Sequence, residues 1–163
     1  MRRRTWIAGA VAAALALAVF AGSGAVSAQE DHSGAVKARQ AHMQLNGFFM
    51  GQLAAIAKGQ MPYDAAQATG VVNALLALNT MDVGAMWPAG SGNDNPALAG
   101  KTRALPAIWT TFPAIVEKSD ALTKALEAMV VAAGTDLASL QGAFGAVGAG
   151  CGGCHRSFRA EKF

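Results

Sequence analysis

The stretch Phe144-Gly145-Ala146-Val147-Gly148-Ala149-Gly150-Cys151-Gly152-Gly153-Cys154-His155 lies close to the end of a 163-residue chain and holds both of its cysteines and one of its three histidines. On a helix, positions 151, 154 and 155 are three and four residues apart and project from one face. That spacing lets two thiols reach the two vinyl groups on one edge of a haem while the imidazole reaches the iron at its centre. C-x-x-C-H is the attachment signature of c-type haem, whose iron commonly takes a proximal histidine. Gly152 and Gly153 keep side chains away from a backbone that a porphyrin edge must approach. The competing readings have less behind them. A thioredoxin-like redox pair needs a preceding strand and a βαβ setting. A zinc site needs four ligands, and His32 and His42 are far along the chain. A disulfide across two residues closes a very small loop for little stability. The motif therefore predicts one covalent haem c, tethered by Cys151 and Cys154 and ligated by His155.

Outward from the motif, four stretches rich in Ala, Leu, Met, Gln and Lys are separated by Gly, Pro and Asn. No run alternates apolar and polar residues long enough for a sheet. The first stretch spans about Ser33 to Lys58, with Gly59 and Pro62 beyond it as stop signals, and Val36, Met43, Met50, Leu53 and Ala54 form a stripe at helical steps. The second begins after Asp64, a plausible N-cap, and runs to about Thr80. Residues 82–101, with four glycines and two prolines, form the one long loop. The third runs from about Pro106 to Ala133, with Pro113 expected to kink it or delay its start and Gly134 to close it. Thr135 or Asp136 caps the fourth, from Leu137 to near the C-terminus. Four amphipathic helices in a chain of this size predict an all-α fold, an antiparallel four-helix bundle.

The N-terminus reads differently. Three arginines at 2–4, an apolar run from Ile7 to Phe20 and small residues ending in Val26-Ser27-Ala28 describe a signal peptide over residues 1–28, leaving residues 29–163 as the mature domain. The apolar run is shorter than the ~20 residues a membrane span requires, so no stable insertion is expected after cleavage. Whole-chain charge is +3, from 13 Lys+Arg and 10 Asp+Glu, and all of that excess sits in Arg2, Arg3 and Arg4. The mature domain is neutral, which removes the basic patch a nucleic-acid partner would need. Export and covalent haem together point to the periplasm of a Gram-negative bacterium.

Three local patterns make the mature chain resemble the class II c-type cytochromes, the cytochrome c′ family. These are the haem helix with Phe158 and Arg159 after it, Arg39-Gln40-Ala41-His42-Met43, and Lys58-Gly59-Gln60-Met61-Pro62-Tyr63-Asp64 supported by Ile108-Trp109. In that family an Arg lies near a haem propionate and, four residues later, a side chain covers the distal face of the iron. Low-spin members have Met there; five-coordinate members have Leu or Phe. The resemblance therefore implies His155/Met43 coordination, which suits electron transfer, with Arg39 and Arg159 as candidate propionate partners. On pattern alone Met43 is weak, since a Met on an apolar stripe usually fills a core and Met50 shares its face. His42 is expected at the rim, and Trp87, Trp109, Phe48, Phe49 and Phe112 as core or pocket walls.

No acid, base or nucleophile constellation is evident, so an electron-transfer protein is expected rather than an enzyme. The first expectation is a periplasmic mono-haem electron carrier meeting redox partner proteins. The alternative is a five-coordinate protein binding small gases such as NO or CO, and the third an exported helical module without haem. The family also implies a homodimer through the first two helices.

Overall fold

A computed structural model describes residues 31–161. The proposed signal peptide, residues 1–28, lies outside them. The chain forms α1 (Ser33–Ala57), α2 (Ala65–Thr80), a single-turn α3 (Ala107–Thr110), α4 (Phe112–Thr135) and α5 (Leu137–Phe158). The four long helices form the bundle that the sequence predicts, with no strand among the described residues.

Local signals set most of the boundaries. The Asp64 carboxylate accepts from the Gln67 amide at 2.7 Å and the Asp136 carboxylate from the Ser139 amide at 2.7 Å, so each caps the helix behind it. Gly59 ends α1 with φ +68°, a conformation that costs a glycine little. Pro113 does what its missing N–H dictates: the third stretch breaks into α3 and α4, with the proline in the first turn of α4. Gly134 does not close α4, which continues to Thr135. The turn is made instead by Asp136, extended at φ −163°, which ends one helix and caps the next without a loop. The long loop holds two 3₁₀ turns, Gly84–Met86 and Pro96–Leu98.

The core is not centred. Leu53 and Ile56 of α1, Val72 and Leu75 of α2, Leu126 and Met129 of α4, and Leu140 and Val147 of α5 pack into one cluster. Each such side chain contributes roughly 1.5–3 kcal/mol when fully buried. Tyr63 anchors this end by donating to the Ala133 carbonyl at 2.9 Å. A second, smaller cluster of Ala104, Ile108 and Phe158 closes the opposite end. Along α5 the main core reaches Val147 and burial resumes at Phe158, so Cys151, Cys154 and His155 fall between the two clusters, each only half-buried.

The helices α4 and α5 meet closely just before the first cysteine. A Cβ added at Gly150 would stand 3.1 Å from Leu122 Cα and 3.0 Å from Leu122 Cδ1. Gly142 has open space around it. Alanine is about 1 kcal/mol the better helix former, so Gly142→Ala should raise the melting temperature of the haem-loaded protein. Gly150→Ala should lower it, by the equivalent of about 1–3 kcal/mol of overpacking. The Asp136 cap gives a pH-dependent prediction. Hydrogen bonding from the Ser139 amide holds the carboxyl below its ordinary value in the folded state. Its contribution is present above the unfolded value, about 4, and lost as pH falls through the lower folded value. Thermal melts of Asp136→Ala should therefore show a deficit at pH 7 that shrinks on acidification.

Candidate functional site

Helix α5 carries Cys151, Cys154 and His155 on one face, as the spacing predicts. The two cysteines are free thiols. Burial pushes both thiols up; the neighbouring Cys151 raises Cys154 further, against an opposing effect of Lys118. Both are therefore protonated at neutral pH. Burial pulls the His155 imidazole down, and the charges of Arg159 and Arg103 pull it the same way. The neutral ring, with a nitrogen lone pair for a metal, is thus the favoured form. Among the described residues no group of three His, Cys, Asp or Glu side chains is arranged to hold a metal ion. That leaves the zinc reading without geometric support.

What faces this motif is set by two ties between α1 and α5. At one end Gln141 Nε2 donates to the Ala57 carbonyl at 2.8 Å. At the other, both helices join the strap of residues 102–105. Arg39 Nη2 donates to Thr102 Oγ1 at 3.2 Å, Arg159 forms a bridge pair with Ala104, and the Leu105 amide donates to the Phe158 carbonyl at 3.0 Å. The helices therefore run antiparallel. Both ties give the same register, since Arg39 to Ala57 and Gln141 to Arg159 each span 18 residues, about 27 Å of helix. Met43 and His155 each stand four residues in from the strap. They are level to within about one turn.

The inner stripe of α1 is interrupted at that level. Val36 and Arg39 are 3% and 4% exposed and Leu53 is fully buried, yet Met43, between them on the same face, is 45% exposed. A residue in line with buried neighbours that is itself 45% exposed leaves the stripe thinly covered at this level. Met43 is therefore not core filling. Met50, its competitor, packs against the main core and lies seven residues, about 10 Å, farther from the strap. A thinly covered stretch of α1, level with two free thiols and a neutral imidazole on α5, fits a haem. Cys151 and Cys154 would hold it, His155 would ligate it, and Met43 would face it. Gly153 has room around it, its Cβ position being 3.7 Å from Lys118 Cδ, whereas at Gly152 an added Cβ would meet the mobile end of Arg156 at 3.0 Å.

Other expected site residues are placed differently from one another. Arg159 is exposed, one turn past His155. Arg39 is almost wholly buried, and its guanidinium is spent on the loop. Nη1 donates to the Met86 carbonyl at 3.0 Å and Ser91 Oγ at 2.6 Å, and Nη2 to the Ser91 carbonyl at 2.8 Å as well as to Thr102. The centre of the guanidinium also lies 4.6 Å from the Trp87 ring. Burial pulls it below its ordinary value, but an arginine keeps its charge in a protein. His42 is not a loose rim residue: its Nε2 lies 2.9 Å from the Leu78 carbonyl, joining α1 to α2, with Asn46 and Asn79 extending the network. Phe49 packs on the core and Trp87 and Trp109 on the small cluster beside Cys154, but Phe48 and Phe112 are exposed rather than walls. Arg103 was missed by the sequence. It is half-buried, donates through Nε to the Ala160 carbonyl at 2.7 Å, and adds its charge near His155. No signal in the sequence links residues 57 apart in this way.

Comparison with known proteins gives a concordant picture. The family model described as Cytochrome C' matches residues 34–159. Cytochrome c-554 of Cereibacter sphaeroides is 39% identical over 126 residues, covering 77% of this chain and 92% of that protein. Among solved structures, cytochrome c′ from Rhodobacter sphaeroides superposes with a TM-score of 0.76 at 35% identity, covering 82% of this chain and all of the other. A variant of cytochrome c′ from Alcaligenes xylosoxidans, solved in the ferrous state with bound NO, has a TM-score of 0.69 at 33% identity, covering 80% and 97%. Proteins of this family carry one covalent haem c, the group that the free thiols, the neutral imidazole and the interrupted stripe of α1 accommodate here. With the matched span taking in the bundle from the start of α1 to the residue just past the haem helix, the chain belongs to the cytochrome c′ family.

Proposed function

We propose that the chain is exported to the periplasm, holds one haem c through Cys151 and Cys154, and works at the iron face opposite His155. The observation that carries this is the exposed Met43 on an otherwise buried stripe, level with His155. A related protein solved with bound NO supports a gas-binding role more strongly than the His/Met electron carrier to which the sequence points first. Gas binding is therefore the reading adopted. The haem supplies the iron and its redox chemistry. The chain would supply the rest: Cys151 and Cys154 would hold the ring against α5, His155, kept neutral by burial and by Arg103 and Arg159, would bind the iron, and Met43 would shield the site from polar competitors while leaving room for a small diatomic molecule.

Electron carriage is the second reading. It is favoured by the thioether standing at this level, because Met/His ligation raises the potential and suits electron transfer. Met43 would then stay on the iron, and a redox partner protein would approach the exposed haem edge. In either case a homodimer through α1 and α2 would cover Leu45 and Phe48, which are 48% and 59% exposed on α1.

Absorption spectra of the haem-loaded protein, with and without CO on the reduced form, separate the readings. Gas binding predicts a shifted Soret band on CO addition. Met43→Leu should leave covalent attachment intact and raise the CO uptake rate about tenfold or more, the equivalent of losing a competitor of about 1.4 kcal/mol. A wild-type protein that shows the weak red band of iron–methionine bonding and takes up no CO would contradict gas binding and establish the carrier.

A further inference from the structure

Helix α2 ends in a way that its own backbone does not complete. The last four carbonyls of a helix have no partner within it. At α2 the Met81 amide meets the Ala77 carbonyl at 3.1 Å, and the Leu78 carbonyl is met from another helix, by His42 Nε2 of α1 at 2.9 Å. A carbonyl only accepts, so Nε2 is the donor. The bond belongs to a short network. Asn46, one turn after His42, donates to the His42 carbonyl at 3.0 Å and accepts from Asn79 Nδ2 at 2.7 Å, while the second hydrogen of that amide goes to the Leu75 carbonyl at 2.8 Å. Two side-chain bonds thus cross from α1 to α2, and all three side chains are half-buried. Apolar side chains could cover the seam equally well, but they would let one helix turn or slide on the other. Directional bonds do not, which is how a polar residue in a helix–helix seam fixes register at some cost in stability. His42 is followed directly by Met43, about 100° further round α1. The bonds to α2 therefore fix the direction in which position 43 points. A turn of α1 by about 20° would carry the Cα of position 43 by about 0.8 Å, and the end of its side chain farther. Displacements of that size matter at a reacting centre.

We propose that His42, Asn46 and Asn79 form a brace that sets the rotation of α1 on α2, and that His42 is thereby a positioning residue for position 43, holding it toward His155. The inference rests on the reading that position 43 covers the iron. The brace acts through the bonds to α2, so it needs no contact with the haem.

The test compares haem-loaded His42→Leu, which cannot donate, with His42→Gln, whose amide nitrogen stands where Nε2 does, and with Asn79→Leu, which removes the second crossing bond. Tyr63→Phe is the control, since it loses the hydrogen bond to Ala133 at the core end of the bundle. The melting temperature is read beside a haem signal. That signal is the CO uptake rate of the reduced protein or, if the wild type takes up no CO, the ratio of high-spin to low-spin absorption. The proposal expects it to change about fivefold or more in His42→Leu, as the loss of one hydrogen bond implies, and to stay within about twofold of wild type in His42→Gln. Asn79→Leu should shift it in the same direction as His42→Leu, by less. Tyr63→Phe should lower the melting temperature and leave the haem signal where it was. A lower melting temperature with an unmoved haem signal in His42→Leu would overturn the proposal and leave the network a purely structural one. So would haem signals that follow melting temperature alike in His42→Leu and Tyr63→Phe. A His42→Gln signal as altered as that of His42→Leu would overturn it as well, placing the imidazole itself at the site. Met43→Leu, run beside them, separates this inference from the reading beneath it: an unmoved haem signal there overturns both, whereas a moved one beside an unmoved His42→Leu overturns the brace alone.

Discussion

The interface between α1 and α5 is tied at its two ends and open between them, and the site follows from that opening. Elsewhere the bundle closes: α4 approaches α5 so nearly at Gly150 that no larger residue fits without displacement, and α2 packs its buried Val72 and Leu75 into the same core as Leu126 and Met129 of α4. At one end of the α1–α5 seam the Gln141 amide reaches Ala57, and at the other the strap fastens both helices. Between these points the apolar faces need something else to cover them. A flat, largely apolar ring would do this. Because the ties fix the register, they would also determine which residues meet it: on the proposed reading, His155 from one wall and Met43 from the other.

Stability and function are divided along the length of the bundle. The larger cluster, from Leu53 to Val147, sits toward the Ala57 end and carries most of the buried apolar surface. The small cluster of Ala104, Ile108 and Phe158 only caps the far end. A chain this short buries a limited core. Leaving part of the interior to a cofactor means that the strap end depends on polar fastening, which is why Arg39, the one buried charge among the described residues, and the buried Ser91, Asn95 and Thr102 gather there.

Much of this was legible in the sequence, and what was not has a physical reason. Asp64 read correctly as a cap, and Asp136 as one of two candidates with Thr135, because a cap is settled within three residues, by a side chain and its own backbone. Pro113 broke its helix as a missing donor must. Gly134 misled because a glycine ends a helix only where the left-handed conformation is needed, and here Asp136 turns the chain in extended conformation. The C-x-x-C-H face is intrinsic to helical spacing and survived intact. Choosing between Met43 and Met50 was beyond the pattern, since residues seven apart share a face; only packing against the rest of the bundle separates the partly buried Met50 from the more exposed Met43. Arg39 was noticed for its position four before Met43, but its partners lie 47 to 63 residues away. Arg103 was invisible for the same reason. Long-range polar fastening leaves no local periodicity.

The account turns on a haem standing between α1 and α5 with position 43 opposite His155. A crystal structure of the haem-loaded protein tests this most directly. The account predicts thioether bonds to Cys151 and Cys154, iron bound to His155 and the Met43 side chain as the nearest protein group on the other face. A haem seated elsewhere, or with Met50 or a residue of α4 over the iron, would contradict it.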